Sequence, residues 1–169
     1  MIIVQLTGGL GNQLFQYAVG RRLAEFHNTN LKLDVLAFEY DPLRSYSLQH
    51  FNILENIATI DDIARFKGTN RLSRAFQHLR YRGQPYYKQP IFHEQGFGFD
   101  PNIYKTSEDV YLAGYWQSEK YFKEIEAIIR KEFIIKYEMD EKNKELAQHI
   151  SNCESVSIHI RRGNMSVTL

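Results

Sequence analysis

A chain of 169 residues is long enough for one domain with a core of ordinary size, or for one domain and part of a second. Its 21 basic and 20 acidic side chains give a formal net charge of +1, so the composition indicates no broad electrostatic surface for nucleic acid or for an anionic membrane. One cysteine, Cys153, excludes an internal disulfide, and no group of cysteine and histidine has the spacing of a zinc site. We therefore expect a protein of a reducing compartment without a structural zinc site.

The N-terminus carries a short apolar run and no basic leader. No stretch of the chain approaches the roughly 18 consecutive apolar residues of a membrane-spanning helix. We therefore expect a cytoplasmic protein, or a peripheral protein on the inner face of a membrane.

The first elements along the chain predict the start of a βαβ unit. Apolar and β-branched residues at 2–6 indicate a strand, which Thr7 and two glycines interrupt. Apolar residues then recur every three or four positions as far as His27, which predicts a helix with a broad apolar face. The alternation at 31–35 indicates a second strand.

The middle of the chain carries weaker signals. Residues 36–58 have no clear period, and we expect a loop there. Residues 59–62 have the spacing of a capping box and predict a short helix through Phe66. A basic helix is predicted at 71–80, with its arginines on a solvated face, and turn residues fill 86–109.

The last part of the chain predicts two more strands and two more helices. Apolar residues at 110–112 indicate a strand, and Ser118 is placed to cap a helix whose inward side chains lie within 122–129. A further helix is predicted at 140–150. Alternating valine and isoleucine at 155–160 indicate a final strand, which ends at two arginines.

The glycine-rich turn GGLGN at 8–12 lies between the first strand and the first helix. Glycines permit a positive φ and let the backbone approach a ligand, although they also serve as plain turns. Their spacing differs from that of the dinucleotide-binding and ATP-binding loops. A generic nucleotide-binding module stays open as an alternative, because Asp34 lies near the position of an acidic residue that binds ribose.

Arg161 and Arg162 follow the last predicted strand directly. Because a guanidinium donates hydrogen bonds in a planar fork and stays charged, two adjacent arginines at a strand end suit a diphosphate. An ordinary surface pair is the alternative interpretation. His159, within the strand, suits either a ligand contact or a core position.

Three segments carry a joint signal: GGLGNQLFQYAVGRRLA at 8–24, LAGYWQSEKYF at 112–122 and VSIHIRRG at 156–163. Together and in this order, they resemble the bacterial α-1,2-fucosyltransferases of glycosyltransferase family 11. The resemblance implies an α/β fold, namely the Rossmann-like N-terminal half of a GT-B glycosyltransferase with the first strand of its C-terminal half. It implies an acceptor-side domain at 1–150 and the start of a truncated GDP-fucose-binding domain at 151–169.

The same resemblance implies the reaction. Members of that family transfer L-fucose from GDP-β-L-fucose to the 2-hydroxyl of a terminal galactose in a glycan, with inversion at the anomeric carbon. Neither a metal ion nor a cofactor is expected, because GDP-fucose is a co-substrate. The implied partners are GDP-fucose and a galactose-terminated glycan such as an O-antigen unit, and nucleic acid is not among them.

The resemblance also implies the site residues. The donor motif of the family falls at His159, Arg161, Arg162 and Asn164. Arg161 and Arg162 are the predicted catalytic residues, because they would stabilise the departing diphosphate. The loop expected to face the substrate consists of Gly8, Gly9, Gly11, Asn12 and Gln13, of which Gly11 and Asn12 are also expected at the donor. An inverting displacement needs a base as well, and the acidic residues considered for it are Asp34, Glu94 and Asp100.

Two features depart from that family. Its members continue beyond the donor motif, so we expect this chain by itself to be an inactive fragment. Asn164 stands at an acidic position of the motif, and a family-like sequence read in a shifted frame gives the residues at 165–168, so we hypothesise that 164–169 is an out-of-frame tail. The alternative function is a non-catalytic remnant with at most weak sugar or nucleotide binding. An unpaired strand at 155–160 also predicts self-association.

Overall fold

The structure, a computed structural model, describes residues 1–96, 98–158 and 160; within these, the side chains at 73, 74 and 76–78 are outside the description. The described chain forms two compact units. The first unit spans Met1–Lys136 and the second begins at Tyr137. The helix predicted at 140–150 lies in the second unit, and the domain division at 150 that the resemblance implies stays a prediction.

The first unit contains a parallel sheet of four strands in the order β2-β1-β4-β3. The strands are β1 (Ile2–Gln5), β2 (Leu31–Asp34), β3 (Ile91–His93) and β4 (Val110–Ala113). This parallel sheet with helices confirms the predicted Rossmann-like α/β class and is consistent with the N-terminal half of a GT-B glycosyltransferase. The strand β3 is not predicted from the sequence, because three residues between turn signals are too few to show a period.

The described residues form five α-helices: α1 (Leu10–Phe26), α2 (Ile60–Lys67), α3 (Arg71–Tyr81), α4 (Glu126–Glu132) and α5 (Glu141–Ser151). The predicted capping box of α2 is confirmed, because the Thr59 hydroxyl accepts from the Asp62 N–H at 3.1 Å and the Asp62 carboxylate accepts from the Thr59 N–H at 2.8 Å. Among the described residues, no helix is both long and apolar enough to cross a bilayer.

The helix predicted to start at Ser118 has a different form. Two 3-10 turns, Glu119–Tyr121 and Lys123–Ile125, precede α4. Phe122 separates them with φ −138° and ψ 14°, which is outside the helical region. The sequence pattern located the inward side chains but not this interruption.

Both faces of the sheet are covered. On one face, α1 packs over buried apolar residues such as Val4 and Leu112, whereas Ile3 and Tyr111 belong to a second core cluster on the other face. Gly20 lets α1 approach the sheet closely, since a Cβ there would lie 2.8 Å from Leu31 Cδ1. A buried parallel sheet of this kind presents its ligand-binding surface at the ends of its strands.

The second unit contains α5, in which no residue is buried. Val156, Ile158 and Ile160 are strongly exposed, and the described part of 155–160 forms no strand. Alternating apolar residues become a strand only when a neighbouring strand accepts and donates the backbone hydrogen bonds.

Candidate functional site

The candidate site lies at the carboxyl edge of the sheet. All strand pairs are parallel, so the segments that follow the four strands emerge at the same edge. The central strands β1 and β4 are neighbours. Along the chain, β1 leads to β2 at one edge of the sheet, whereas β4 follows β3 at the other edge. In open α/β sheets, ligands bind outside the carboxyl ends of strands arranged in this way.

In the glycine turn after β1, positions 8 and 11 differ in how strongly the structure favours glycine. Gly8 has φ +75°, and a Cβ on it would lie 2.6 Å from Asn12 Nδ2. Gly11 is helical and exposed, and a Cβ on it would meet nothing within 4 Å. The positive φ therefore favours glycine at position 8, where a Cβ would also displace the Asn12 amide, whereas at position 11 there is open space beside the backbone.

The start of α1 adds hydrogen-bond donors and positive charge to this edge. The first intrahelical bond runs from the Gln13 N–H to the Gly9 carbonyl at 3.1 Å, so the N–H groups of 10–12 precede it. Gly9 provides no side-chain cap, and Arg44 Nη1 lies 3.9 Å from the place a Cβ on Gly9 would take. The helix dipole and the guanidinium both favour an electron-rich ligand group here.

Arg44 was missed by sequence analysis. It lies in the stretch 36–58, where no periodic pattern indicates that the chain returns to the glycine turn. Only the packing of this stretch against α1 brings the two together.

Gln13 is buried, and backbone groups occupy its amide. Its Nε2 donates to the Gly8 carbonyl at 3.0 Å and to the Ser45 carbonyl at 2.9 Å, and its Oε1 accepts from the Ser47 N–H at 2.9 Å. These bonds join the glycine turn to the 45–47 segment. Its contact with substrate stays a prediction, and the structure gives Gln13 a role in holding the turn.

Gln16 joins the ends of the two central strands. Its Oε1 accepts from the Thr7 N–H at 2.9 Å, and its Nε2 donates to the Gly114 carbonyl at 3.0 Å. The side chain is fully buried. One amide therefore fixes the segment after β1 relative to the segment after β4.

The turn at 114–117, after β4, is held by Glu94 from the end of β3. The Glu94 carboxylate accepts from the Tyr115 N–H at 2.7 Å and from the Trp116 N–H at 3.0 Å. Trp116 has φ +57°, a rare conformation for a residue with a side chain, and is completely buried. Gln117 Nε2 then donates to Asn12 Oδ1 at 2.7 Å, which connects this turn to α1.

Asp34, at the end of β2, is buried among its partners. Its carboxylate accepts from the Leu36 N–H, the Lys67 ammonium and the Tyr111 hydroxyl. Burial, and then the bond to Asp34, raise the pKa of Tyr111 above its ordinary value. With an exposure of only 1%, Asp34 has little surface for a ribose hydroxyl, which argues against the generic nucleotide-binding alternative.

The other carboxylates considered for the base also have structural partners. Asp100 accepts from the Asn102 N–H at 3.0 Å and from the Tyr86 hydroxyl at 2.7 Å, where it starts a 3-10 turn. Glu94 is occupied by the two backbone N–H groups of the 114–117 turn. Neither arrangement identifies a base.

The predicted donor motif is not described by the structure: His159, Arg161, Arg162 and Asn164 lie outside the described residues. Their assignment to the donor therefore stays a prediction. Within the described ranges, no three side chains of histidine, cysteine, aspartate or glutamate are grouped as metal ligands would be.

Comparison with known proteins adds a relative of named activity. The chain is 30% identical to an alpha-1,2-colitosyltransferase of Escherichia coli. This similarity supports a glycosyltransferase family. It covers 97% of this chain and 55% of the relative, so the chain spans about half the length of the curated relative that it matches. No protein-family model and no solved structure matches the chain.

Proposed function

We propose that the chain forms the acceptor-side half of an enzyme that transfers L-fucose from GDP-β-L-fucose to the 2-hydroxyl of a terminal galactose in a glycan, at the cytoplasmic face of a membrane. The single observation that carries the proposal is the 30% identity, over 97% of the chain, to a protein named for α-1,2 transfer of a sugar. The choice of fucose rests on the resemblance of the three segments described above.

The geometry of the carboxyl edge supports a substrate there. A hydroxyl-rich ligand needs donors and acceptors that converge on a space without side chains. Gly11 leaves such a space, the N–H groups of 10–12 supply donors at the start of the helix, and the Arg44 guanidinium lies near Gly9. In this proposal Arg161 and Arg162 bind the diphosphate and stabilise its negative charge as the bond to the sugar breaks.

A transfer assay and calorimetry, with matched arginine variants, test the proposal. The chain is incubated with lactose and either GDP-fucose or a nucleotide-activated colitose, and the glycosylated product is measured by mass spectrometry. Because this chain by itself is expected to be an inactive fragment, we expect no transfer product from it but saturable binding of GDP-fucose in calorimetry. We expect Arg162→Ala to weaken that binding, whereas Arg130→Ala, a change at a largely exposed arginine of α4, leaves it unchanged. A product from the colitose donor alone would replace fucose in the proposal.

A second candidate function is a non-catalytic remnant that binds sugar or nucleotide weakly. The observation that favours it is the share of the relative that the chain covers, 55%. Calorimetry with GDP distinguishes the two. Weak or absent GDP binding supports the remnant, whereas saturable GDP binding excludes it.

We also propose that copies of this chain associate with one another. Val156, Ile158 and Ile160 are 88%, 81% and 76% exposed, and such an alternating apolar row is a template for strand pairing between chains. We expect the apparent mass in size-exclusion chromatography to rise with protein concentration, and Ile158→Asp to reduce the rise. A wild-type monomer at all concentrations would contradict this.

A further inference from the structure

The turn at 114–117 is built more firmly than a simple connection requires. Trp116 has a left-handed backbone conformation, which is costly for a residue with a side chain. Its indole is completely buried, stacked on Phe92 with a centroid distance of 5.6 Å and edge-on to Tyr121 at 5.5 Å. The Glu94 carboxylate accepts from the N–H groups of Tyr115 and Trp116 and so holds the backbone of the turn. Strained conformations of this kind persist where surrounding contacts determine them, often at binding sites.

The same turn is attached to the start of α1 on both sides of Tyr115. The Gly114 carbonyl accepts from Gln16, and Gln117 donates to Asn12. Tyr115 therefore lies in the chain between two residues that are bonded to the helix bearing the glycine turn. Glycine is required at position 114, because a Cβ there would lie 2.5 Å from the Cβ of Glu94.

Within this fixed turn, the two neighbouring aromatic residues have opposite exposure. Trp116 is 0% exposed, whereas 47% of Tyr115 is accessible to solvent. A rigid backbone that presents one large aromatic ring loses little conformational freedom when a ligand packs against it. The C–H face of a pyranose ring is a ligand group that packs on such a ring.

We propose that Tyr115 is the stacking surface for the galactose ring of the acceptor, and that Glu94 is a positioning residue that fixes it. This inference rests on the proposed function, since galactose is the acceptor there. Glu94 acts through the backbone of 115 and 116, because its carboxylate is occupied by those two N–H groups.

Ligand-observed NMR with methyl β-D-galactopyranoside tests the inference on the whole chain. We expect saturable binding by the wild type, a loss of about tenfold in affinity for Tyr115→Ala, and wild-type affinity for Tyr115→Phe, which keeps the ring. Tyr137→Ala, at an exposed tyrosine of the second unit, is the matched control and should bind as the wild type does. Urea unfolding checks that the Tyr115 variants remain folded.

A double-mutant cycle separates positioning from a direct contact. If Glu94 acts through Tyr115, Glu94→Gln weakens galactoside binding, and the double variant Glu94→Gln/Tyr115→Ala binds no more weakly than Tyr115→Ala alone. Additive losses would overturn the positioning role. Unchanged binding by Tyr115→Ala would overturn the stacking surface while leaving the proposed function intact, whereas a wild type that binds no galactoside would overturn both.

Discussion

The two glycines of α1 at positions 11 and 20 predict opposite responses to the same substitution. A Cβ on Gly20 would lie 2.8 Å from Leu31 Cδ1 and 3.0 Å from Val4 Cγ1, both on buried side chains of the sheet. A Cβ on Gly11 would meet nothing within 4 Å. The Gly20→Ala change therefore forces α1 away from the sheet, whereas Gly11→Ala alters only the helix itself.

The expected magnitudes follow from two opposing effects. Overpacking a core costs about 1–3 kcal/mol, while replacing glycine by alanine inside a helix stabilises it by about 1 kcal/mol. We therefore expect Gly20→Ala to lower the free energy of unfolding by about 1 kcal/mol, and Gly11→Ala to raise it by about 0.5 kcal/mol, since first-turn positions gain less.

Urea unfolding followed by the fluorescence of Trp116 measures both variants. Trp116 is the single tryptophan of the chain and is buried in the core that α1 covers, so its signal reports this unit. If Gly20→Ala is as stable as Gly11→Ala, the close approach of α1 to the sheet does not limit the residue at position 20, and the reasoning is refuted. The same Gly11→Ala protein also tests the site, because we expect it to bind galactoside less well although it is more stable.

Two further changes test the buried amide of Gln16 and the ion pair of Asp62. Gln16→Leu removes the partners of the Thr7 N–H and the Gly114 carbonyl, so we expect a loss of about 3 kcal/mol in the free energy of unfolding in urea. At Asp62, the hydrogen bond from Lys32 and then those from the neighbouring N-cap residue lower the carboxyl pKa from 3.8 to about 2. Because the folded pKa is the lower one, this stabilisation is present above pH 3.8 and is lost as the pH falls toward 2. We expect Asp62→Asn to reduce the loss of stability in that pH window.

Each of these expectations has an outcome that contradicts it. A Gln16→Leu protein that unfolds at the wild-type urea concentration would mean that the two backbone groups find other partners. For Asp62, urea midpoints measured at several pH values between about 5 and 2 decide, and an Asp62→Asn protein with the wild-type pH dependence would exclude this carboxylate as a source of the acid sensitivity.

Local patterns in the sequence were sufficient for much of the first unit. The strand at the N-terminus, the long first helix and the second strand follow from apolar periodicity, and the capping box of α2 follows from the spacing of Thr59 and Asp62. These features depend on residues a few positions apart, which is why a single sequence, without an alignment, is sufficient to predict them. The same holds for the glycine turn, whose composition alone marks a junction between strand and helix.

Elements that depend on a distant partner were predicted less well. The three-residue strand β3 exists because β4 accepts it as a neighbour, and its own residues carry no period. The described part of 155–160 has the alternation of a strand but forms none, since no neighbouring strand pairs with it there. The helix after Ser118 is interrupted at Phe122, which the periodicity of its apolar residues did not indicate.

The sequence by itself determined the fold class and the location of a glycine turn, and resemblance suggested a sugar-transfer chemistry. The tertiary structure decided the contacts near that turn and the neighbouring one. Arg44 lies beside Gly9, the Gln16 amide joins the segments after two strands, and the Glu94 carboxylate accepts from the Tyr115 N–H. Such contacts join residues far apart in the sequence, 21 positions for Glu94 and Tyr115 and 98 for Gln16 and Gly114. No local period encodes such a contact, because it depends on the order in which parallel strands assemble into the sheet.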